Sequence, residues 1–199
     1  MPADLLVLGA VALVAFLLGA VNPATIVAGT LGRDLRSSGS GNPGAANAGR
    51  VLGRKWGVLV LVLDVAKAFA PTLLASTWFG QTAGLVAGLA VVLGHVYSPF
   101  LRGRGGKGVA CAVGAVLAVE PVVAVAALVT FALAFAVVRV IGEASVLGTL
   151  AIAAVGVTGA MGLVPGVGRW TGAWLAAVAG VVVSRHRRNV RAWWSRVRG

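Results

Sequence analysis

Three glycine-rich polar segments hold the residues of this sequence that are best suited to bind phosphate. The first, residues 38–50, carries Ser40, Asn42 and Asn47 among glycines and ends at Arg50. Glycines permit positive φ angles, so successive backbone N–H groups can point into one concavity and bind an anion. Arg50 adds a guanidinium fork that matches a phosphate group. We therefore interpret this segment as an anion site rather than a flexible linker.

The second segment, residues 94–108, ends in Gly105, Gly106, Lys107 and Gly108. It is similar to a phosphate-binding P-loop, but no Ser or Thr follows the lysine and no strand precedes it. A nucleotide-binding fold is therefore not predicted. A glycine-flanked lysine at a helix start still suits a phosphate, through backbone N–H groups and the helix dipole. An ordinary basic loop with turn glycines explains the same residues equally well.

The third segment is the basic C-terminal tail. His186 and Asn189 are three residues apart, so they can share one face of a helix. The rest of the tail combines arginines with Trp193 and Trp194. That combination is typical of an anchor lying on anionic lipid.

Two charged residues fall inside apolar stretches. Asp64 and Lys67 are three residues apart, and we predict an ion pair because an unpaired charge in lipid costs several kcal/mol. His95, near the end of the next apolar stretch, is interpreted as a packing or hydrogen-bonding residue. No cluster of Asp, Glu and His has the spacing of a metal site, so no metal and no cofactor are expected.

The elements that must position these residues are membrane helices. Hydrophobic residues make up 59% of the chain and charged residues 11%, against about 45–50% and about 25% in soluble domains. The long apolar runs lack the period-two alternation of a barrel, so we predict an all-α, polytopic membrane protein with about seven transmembrane helices. The predicted spans are residues 5–32, 56–76, 82–101, 109–119, 122–138, 146–164 and 170–184.

The distribution of charge predicts the topology. The formal net charge is +12, which on a soluble chain would suggest a nucleic-acid partner. With seven spans, fifteen of the 17 lysines and arginines fall on one side, leaving only Arg169 opposite and Lys67 within a span. The positive-inside rule then places the basic side in the cytoplasm, with the N-terminus outside and the C-terminus cytoplasmic. We expect no nucleic-acid partner and a single domain over residues 1–199.

Taken in order, the motifs resemble the bacterial acyl-phosphate:glycerol-3-phosphate acyltransferases of the PlsY type. Residues 39–47 are similar to the first cytoplasmic motif of that family, and Asp64 and Lys67 match a comparable Asp-x-x-Lys. Residues 94–109 look like the second motif and residues 186–189 like the C-terminal one. The resemblance covers nearly the whole chain.

This resemblance implies an integral enzyme of the inner membrane whose active site lies at the cytoplasmic face. The family moves a fatty acyl group from acyl phosphate to the sn-1 hydroxyl of glycerol 3-phosphate, giving lysophosphatidic acid and phosphate. It uses no metal and no covalent acyl-enzyme, and its surroundings are membrane lipids. We expect a monomer. The implied roles are catalytic for Ser40 and Lys107; substrate-binding for Asn42, Gly44, Asn47, Arg50, Gly105, Gly106, Gly108, Ser145, His186 and Asn189; and structural for Asp64, Lys67 and His95.

The sequence departs from the family pattern at several positions. Gly142 lacks a phosphate-contacting hydroxyl, Glu143 adds negative charge near a site for two anions, and Ala46 replaces a usual threonine. These departures leave open a divergent paralogue that acylates another polyol phosphate, or a catalytically silent lipid-binding protein of the same fold. A small transporter is a further alternative, although such a protein would place polar groups near the bilayer midplane.

Overall fold

The computed structural model describes residues 2–198 as ten α-helices and one short 3-10 helix, with no strand among these residues. The side chains of residues 2, 3, 188, 192 and 196–198 lie outside the description, and with them part of the predicted lipid anchor. The all-α prediction is confirmed for the residues described. The chain forms two compact units, residues 1–119 and 120–199.

Five helical segments in the described part of the chain are long and apolar enough to cross a membrane. Two further apolar helices, Val109–Val119 and Arg169–Ser184, are shorter. Many large apolar side chains on these helices are exposed, which fits contact with lipid. The membrane assignment is therefore supported, whereas a count of seven crossings stays a prediction. The five longer segments are Asp4–Thr30, Arg54–Phe79, Gln81–Leu101, Pro121–Val138 and Ile141–Ala160.

Small residues bring the helices of the first unit close together. A Cβ atom added at Gly19 would overlap the carbonyl of Val91, and one at Gly94 would overlap the carbonyl of Phe16. Such close backbone contact drives association in lipid, where the hydrophobic effect does not. The helices of this unit are α1 Pro2–Ala20, α2 Pro23–Thr30, α3 Ala45–Val51, α4 Arg54–Phe79, α5 Gln81–Val96, the 3-10 helix Pro99–Leu101 and α6 Val109–Val119.

The first predicted span is interrupted. Helix α1 ends at Ala20, and α2 begins at Pro23, after Asn22 accepts a hydrogen bond of 2.9 Å from the backbone N–H of Thr25. Asparagine before a proline at the first helical position is a strong helix-start signal. The single helix expected over residues 5–32 is therefore two helices, broken at the Asn-Pro pair.

The second unit contains four helices. The polar segment predicted as a loop at residues 139–145 is mostly helical, because the helix begins at Ile141. Gly142, Glu143 and Ser145 thus lie in its first turns, where the helix dipole favours a carboxylate. The predicted span over residues 146–164 therefore starts earlier than expected and ends at Ala160. The four helices are α7 Pro121–Val138, α8 Ile141–Ala160, α9 Arg169–Ser184 and α10 Arg187–Arg198.

Candidate phosphate-binding site

The side chain of Asn47 fixes the first glycine-rich segment. Its Oδ1 accepts hydrogen bonds from the backbone N–H of Ser40 at 2.8 Å and from Arg50 Nη1 at 3.3 Å. Its Nδ2 donates to the carbonyls of Leu35 and Ser38, both at 3.0 Å. Two donors and two acceptor positions of the amide are thus used within the loop. Asn47 organises the segment from a buried position, and its predicted contact with substrate stays a prediction.

Two predicted ligands are brought together by this amide. Ser40 and Arg50 are both exposed, and both donate to the same oxygen of Asn47. Ser40 lies between Gly39 and Gly41, whose φ angles are +61° and +70°. A side chain at Gly39 would overlap the Asn47 amide, so the turn that presents Ser40 requires glycine there.

A buried asparagine that the sequence did not single out ties this segment to the first helices. Asn22 is the N-cap of α2, and its Nδ2 donates to the carbonyl of Pro43 at 3.0 Å. The predicted ligands Asn42 and Gly44 flank that proline, and the Gly44 N–H donates to the Asn42 carbonyl at 3.0 Å. The available signal for Asn22 was the Asn-Pro pair inside an uncharged run.

The predicted ion pair of Asp64 and Lys67 is present. Lys67 Nζ lies 2.8 Å from Asp64 Oδ1, in an ion pair rather than a directed hydrogen bond. The same ammonium lies 3.0 Å from His95 Nδ1 and donates at 2.7 Å to the carbonyl of Val21, in the break between α1 and α2. Asp64 is 1% exposed and His95 4%. The three side chains therefore form one polar cluster joining α4, α5 and the helix break.

His95 also supports the second glycine-rich segment. The Gly106 N–H donates to the His95 carbonyl at 3.2 Å, and the Gly105 N–H donates to the Val96 carbonyl at 3.1 Å. A Cβ atom at Gly105 would overlap the His95 carbonyl, and one at Gly106 would overlap the ring nitrogen Nε2. Both glycines are therefore required for the loop to lie directly against the end of α5.

Lys107 follows these glycines, and only Gly108 separates it from α6. Gly108 has a φ angle of +85°, and its carbonyl accepts the first bond of the helix from the Ala112 N–H at 2.8 Å. Burial lowers the pKa of Lys107, and the nearby positive charge of Arg50 lowers that pKa further. Two of the predicted phosphate ligands, from segments far apart in sequence, are thus close enough for their positive charges to repel each other. An anion placed there would relieve that repulsion.

Cys111 comes close to the polar cluster. One atom of each of Asp64, His95 and Cys111 could bind a metal ion, and these atoms all lie within 4.8 Å of one another. The three residues are far apart in the sequence, which therefore does not predict this cluster. The ammonium of Lys67 already contacts both Asp64 and His95. A fixed positive charge in contact with two of three donors does not fit a metal cation.

The remaining predicted ligands belong to the second unit. His186 is buried, and its Nδ1 donates to the Val182 carbonyl at 2.8 Å. The hydroxyl of Ser145 donates at 2.7 Å to a carbonyl one turn earlier in α8. A Cβ atom at Gly142 would overlap the side-chain amide of Asn189. The Asn189 amide therefore occupies the space that a side chain at position 142 would need, and this packing explains the glycine there.

Comparison with known proteins gives one family. The sequence profile described as glycerol-3-phosphate acyltransferase matches residues 9–196. The glycerol-3-phosphate acyltransferase of Aquifex aeolicus is 50% identical over 107 residues, which are 53% of this chain and 56% of that protein. The enzyme of the same name from Thermoanaerobacter sp. is 45% identical over 109 residues, 54% of this chain and 55% of that protein. These alignments span about half the length of the curated relatives.

Two solved structures resemble the chain over most of its length. Both are crystal structures of PlsY (YgiH), an integral membrane glycerol 3-phosphate acyltransferase, and each match covers 94% of this chain and 92% of that one. The glycerol 3-phosphate form has a TM-score of 0.86 at 36% identity. The lysophosphatidic acid form has a TM-score of 0.84 at 34% identity.

Proposed function

The chain belongs to the glycerol-3-phosphate acyltransferase family, and we propose that it transfers a fatty acyl group from acyl phosphate to the sn-1 hydroxyl of glycerol 3-phosphate. The products are lysophosphatidic acid and inorganic phosphate. The observation that carries this proposal is that the exposed residues Ser40 and Arg50 meet at one oxygen of the Asn47 side chain, at 2.8 and 3.3 Å. The positive charge of Arg50 also acts on the half-buried Lys107, whose pKa it lowers. The solved relatives in glycerol 3-phosphate and lysophosphatidic acid forms support the same reaction.

The chemistry requires no protein nucleophile, because acyl phosphate is a mixed anhydride and is already activated. The glycerol oxygen attacks the acyl carbon, an ester bond forms, and the bond from that carbon to the phosphate oxygen breaks. The departing phosphate takes the hydroxyl proton. Lys107 and the backbone N–H groups of the glycine loops stabilise charge on the developing oxyanion and on the leaving phosphate, and Ser40 helps to position the reacting groups.

Preorganisation of the first segment favours this chemistry. Four hydrogen bonds of Asn47 hold the segment before any substrate binds, and two of them are made with Ser40 and Arg50. Ligands held in advance lose less conformational entropy when substrate arrives, so more of the binding energy serves the transition state.

Ser145, His186 and Asn189 keep their proposed substrate-binding roles. The KM for glycerol 3-phosphate of each alanine variant tests these roles.

We propose that the protein crosses the inner membrane seven times as a monomeric single domain with a cytoplasmic active site. The N-terminus is then outside and the C-terminus cytoplasmic. The unequal distribution of lysine and arginine supports this topology. Cysteines introduced one at a time at Thr77 and at the exposed Ser37 in a Cys111→Ala background test it. An impermeant thiol reagent added to intact cells should label only the cysteine at position 77. Labelling of Ser37→Cys alone would show the opposite orientation.

The activity is tested with purified protein, palmitoyl phosphate and glycerol 3-phosphate, by measuring released phosphate and lysophosphatidate together. Wild type should form both products in equal amounts. Lys107→Ala and Arg50→Gln should each lower the rate by about 10²–10³-fold, as expected when a charge stabiliser of the transition state is lost. The exposed Arg33→Gln, from the same polar loop, is the matched control. Absence of product with wild type would exclude the reaction. Unchanged rates in both Lys107→Ala and Arg50→Gln would show that these residues are not in the active site.

A further inference from the structure

A second group of positive charges surrounds a cavity in the first unit. The cavity has a volume of about 250 Å³ and is lined by Arg36, Arg102 and Arg104. Neither Arg50 nor Lys107 lines it, so the proposed substrate site does not account for it. The three arginines are exposed, and three guanidinium groups around one polar space attract anions. Each also presents paired donors that match phosphate oxygens.

Arg36 extends from a firmly held point of the backbone. The preceding Leu35 is 1% exposed, and its carbonyl accepts a hydrogen bond from the Asn47 side chain. The nearby carboxylate of Asp34 accepts a hydrogen bond of 2.8 Å from the backbone N–H of Arg36. The carboxylate closest in sequence is therefore used to fix the loop, and it does not line the cavity.

Arg102 and Arg104 are held by an equally restrained turn. Arg102 has a φ angle of +52° and a ψ angle of +43°, a left-handed conformation that is unfavourable for a residue with a side chain. The adjacent Gly103 N–H donates at 2.8 Å to the carbonyl of Ser98, whose buried hydroxyl donates at 2.7 Å to the carbonyl of Ala20. Arg102 ends the 3-10 helix, where a left-handed residue is common, and these hydrogen bonds fix the position from which its side chain extends.

The setting of the turn indicates the class of ligand. Tyr97 and Phe100, just before Arg102, are exposed at the end of the candidate span Gln81–Leu101. Exposed aromatic side chains at the end of a span lie at the level of lipid headgroups. We propose that Arg36, Arg102 and Arg104 form a second phosphate-binding site, separate from Arg50 and Lys107. Its ligand is a phosphate group, supplied either by an anionic lipid headgroup or by free inorganic phosphate.

The test removes the proposed substrate site first, so that only the second site remains. The parent protein carries Arg50→Gln and Lys107→Ala. Inorganic phosphate is titrated calorimetrically into the parent in detergent. In nanodiscs containing equal phosphatidic acid and phosphatidylcholine, the lipids retained by the protein are measured by native mass spectrometry. Adding Arg102→Gln or Arg36→Gln should weaken binding at least tenfold, whereas adding Arg33→Gln should leave it unchanged.

Arg102→Gly separates binding from folding. Glycine relieves the left-handed strain while removing the guanidinium, so this variant should bind phosphate at least tenfold more weakly and melt no lower than its parent. Saturable binding in detergent identifies free phosphate as the ligand, and retention of phosphatidic acid alone identifies a lipid headgroup. The proposal is overturned if the parent binds neither, or if Arg33→Gln weakens binding as much as Arg102→Gln. Acyl transfer is not measured, so the result is independent of the proposed reaction.

Discussion

Replacing Lys67 by methionine should be among the most damaging single changes in the first unit. Methionine matches the length of the lysine side chain but removes the charge that contacts Asp64, His95 and the carbonyl of Val21. Asp64 is 1% exposed, so its carboxylate cannot regain water without local unfolding. Breaking a buried pair by removing one partner costs about 3–5 kcal/mol. Because His95 Nδ1 stays 3.4 Å from Asp64 Oδ1 as a second partner, we expect a loss of about 3 kcal/mol in the free energy of unfolding, the lower end of that range.

The assay is reversible unfolding in mixed micelles of a mild detergent and sodium dodecyl sulfate, followed by helix content. Asp64→Asn and the double variant Asp64→Asn/Lys67→Met complete a thermodynamic cycle. The double variant should lose less stability than the sum of the single variants, with a coupling energy of about 1–3 kcal/mol. Lys55→Met is the matched control, because Lys55 is an exposed lysine of the same helix. Its ammonium lies 5.1 Å from the centre of the Trp56 ring. That contact should contribute at most about 1 kcal/mol.

Two results would refute this reasoning. A Lys67→Met variant that loses no more stability than Lys55→Met would mean that Asp64 is not held as a buried charge. Additive effects of the two single variants would mean that Asp64 and Lys67 do not interact energetically, whatever the distance of 2.8 Å between their atoms.

Three further predictions concern other positions. Gly142→Ser should displace the Asn189 amide and raise the KM for glycerol 3-phosphate roughly tenfold, the equivalent of one hydrogen bond; an unchanged KM would separate Asn189 from substrate binding. The lowered pKa of Lys107 means that its charge is lost at a lower pH than for an ordinary lysine. The KM for glycerol 3-phosphate should therefore rise as the pH becomes alkaline. Lys107→Arg should move that rise to higher pH, because arginine keeps its charge. Gly94→Ala, which would meet a carbonyl of α1, should cost about 1–3 kcal/mol in unfolding experiments, while Gly29→Ala, with nothing within 4 Å, should not destabilise.

The helices were largely predictable from the sequence because their ends are marked by polar residues. Helix α6 spans Val109–Val119, as predicted, because Gly108 precedes it and Glu120-Pro121 ends it. The pair of Asp64 and Lys67 was predictable for a similar reason, since residues three apart on a helix are neighbours. Local rules were sufficient in both cases.

What the sequence did not reveal depends on tertiary contacts. The approach of Cys111 to His95 and Asp64 requires the packing of three helices, which no local pattern encodes. The sequence identified Asn47 as a polar residue in a phosphate loop, but it could not show that the amide turns inward to hold the loop. The break between α1 and α2 at Asn22 is not predicted, because the residues around it are uncharged and apolar. A long apolar run predicts one continuous span even though the Asn-Pro pair within it can start a helix.

The ion pair of Asp64 and Lys67 has a consequence for biosynthesis, because both partners lie on α4. A lone carboxylate or ammonium would oppose entry of a nascent helix into the bilayer. Here the two charges can neutralise each other as soon as the helix has formed, before the ribosome has made α5 and its histidine. Integration of this segment by the translocon therefore does not have to wait for a downstream partner. Lys67→Met and Asp64→Asn should each impede that step more than their combination does, because each leaves one uncompensated charge on the inserting segment.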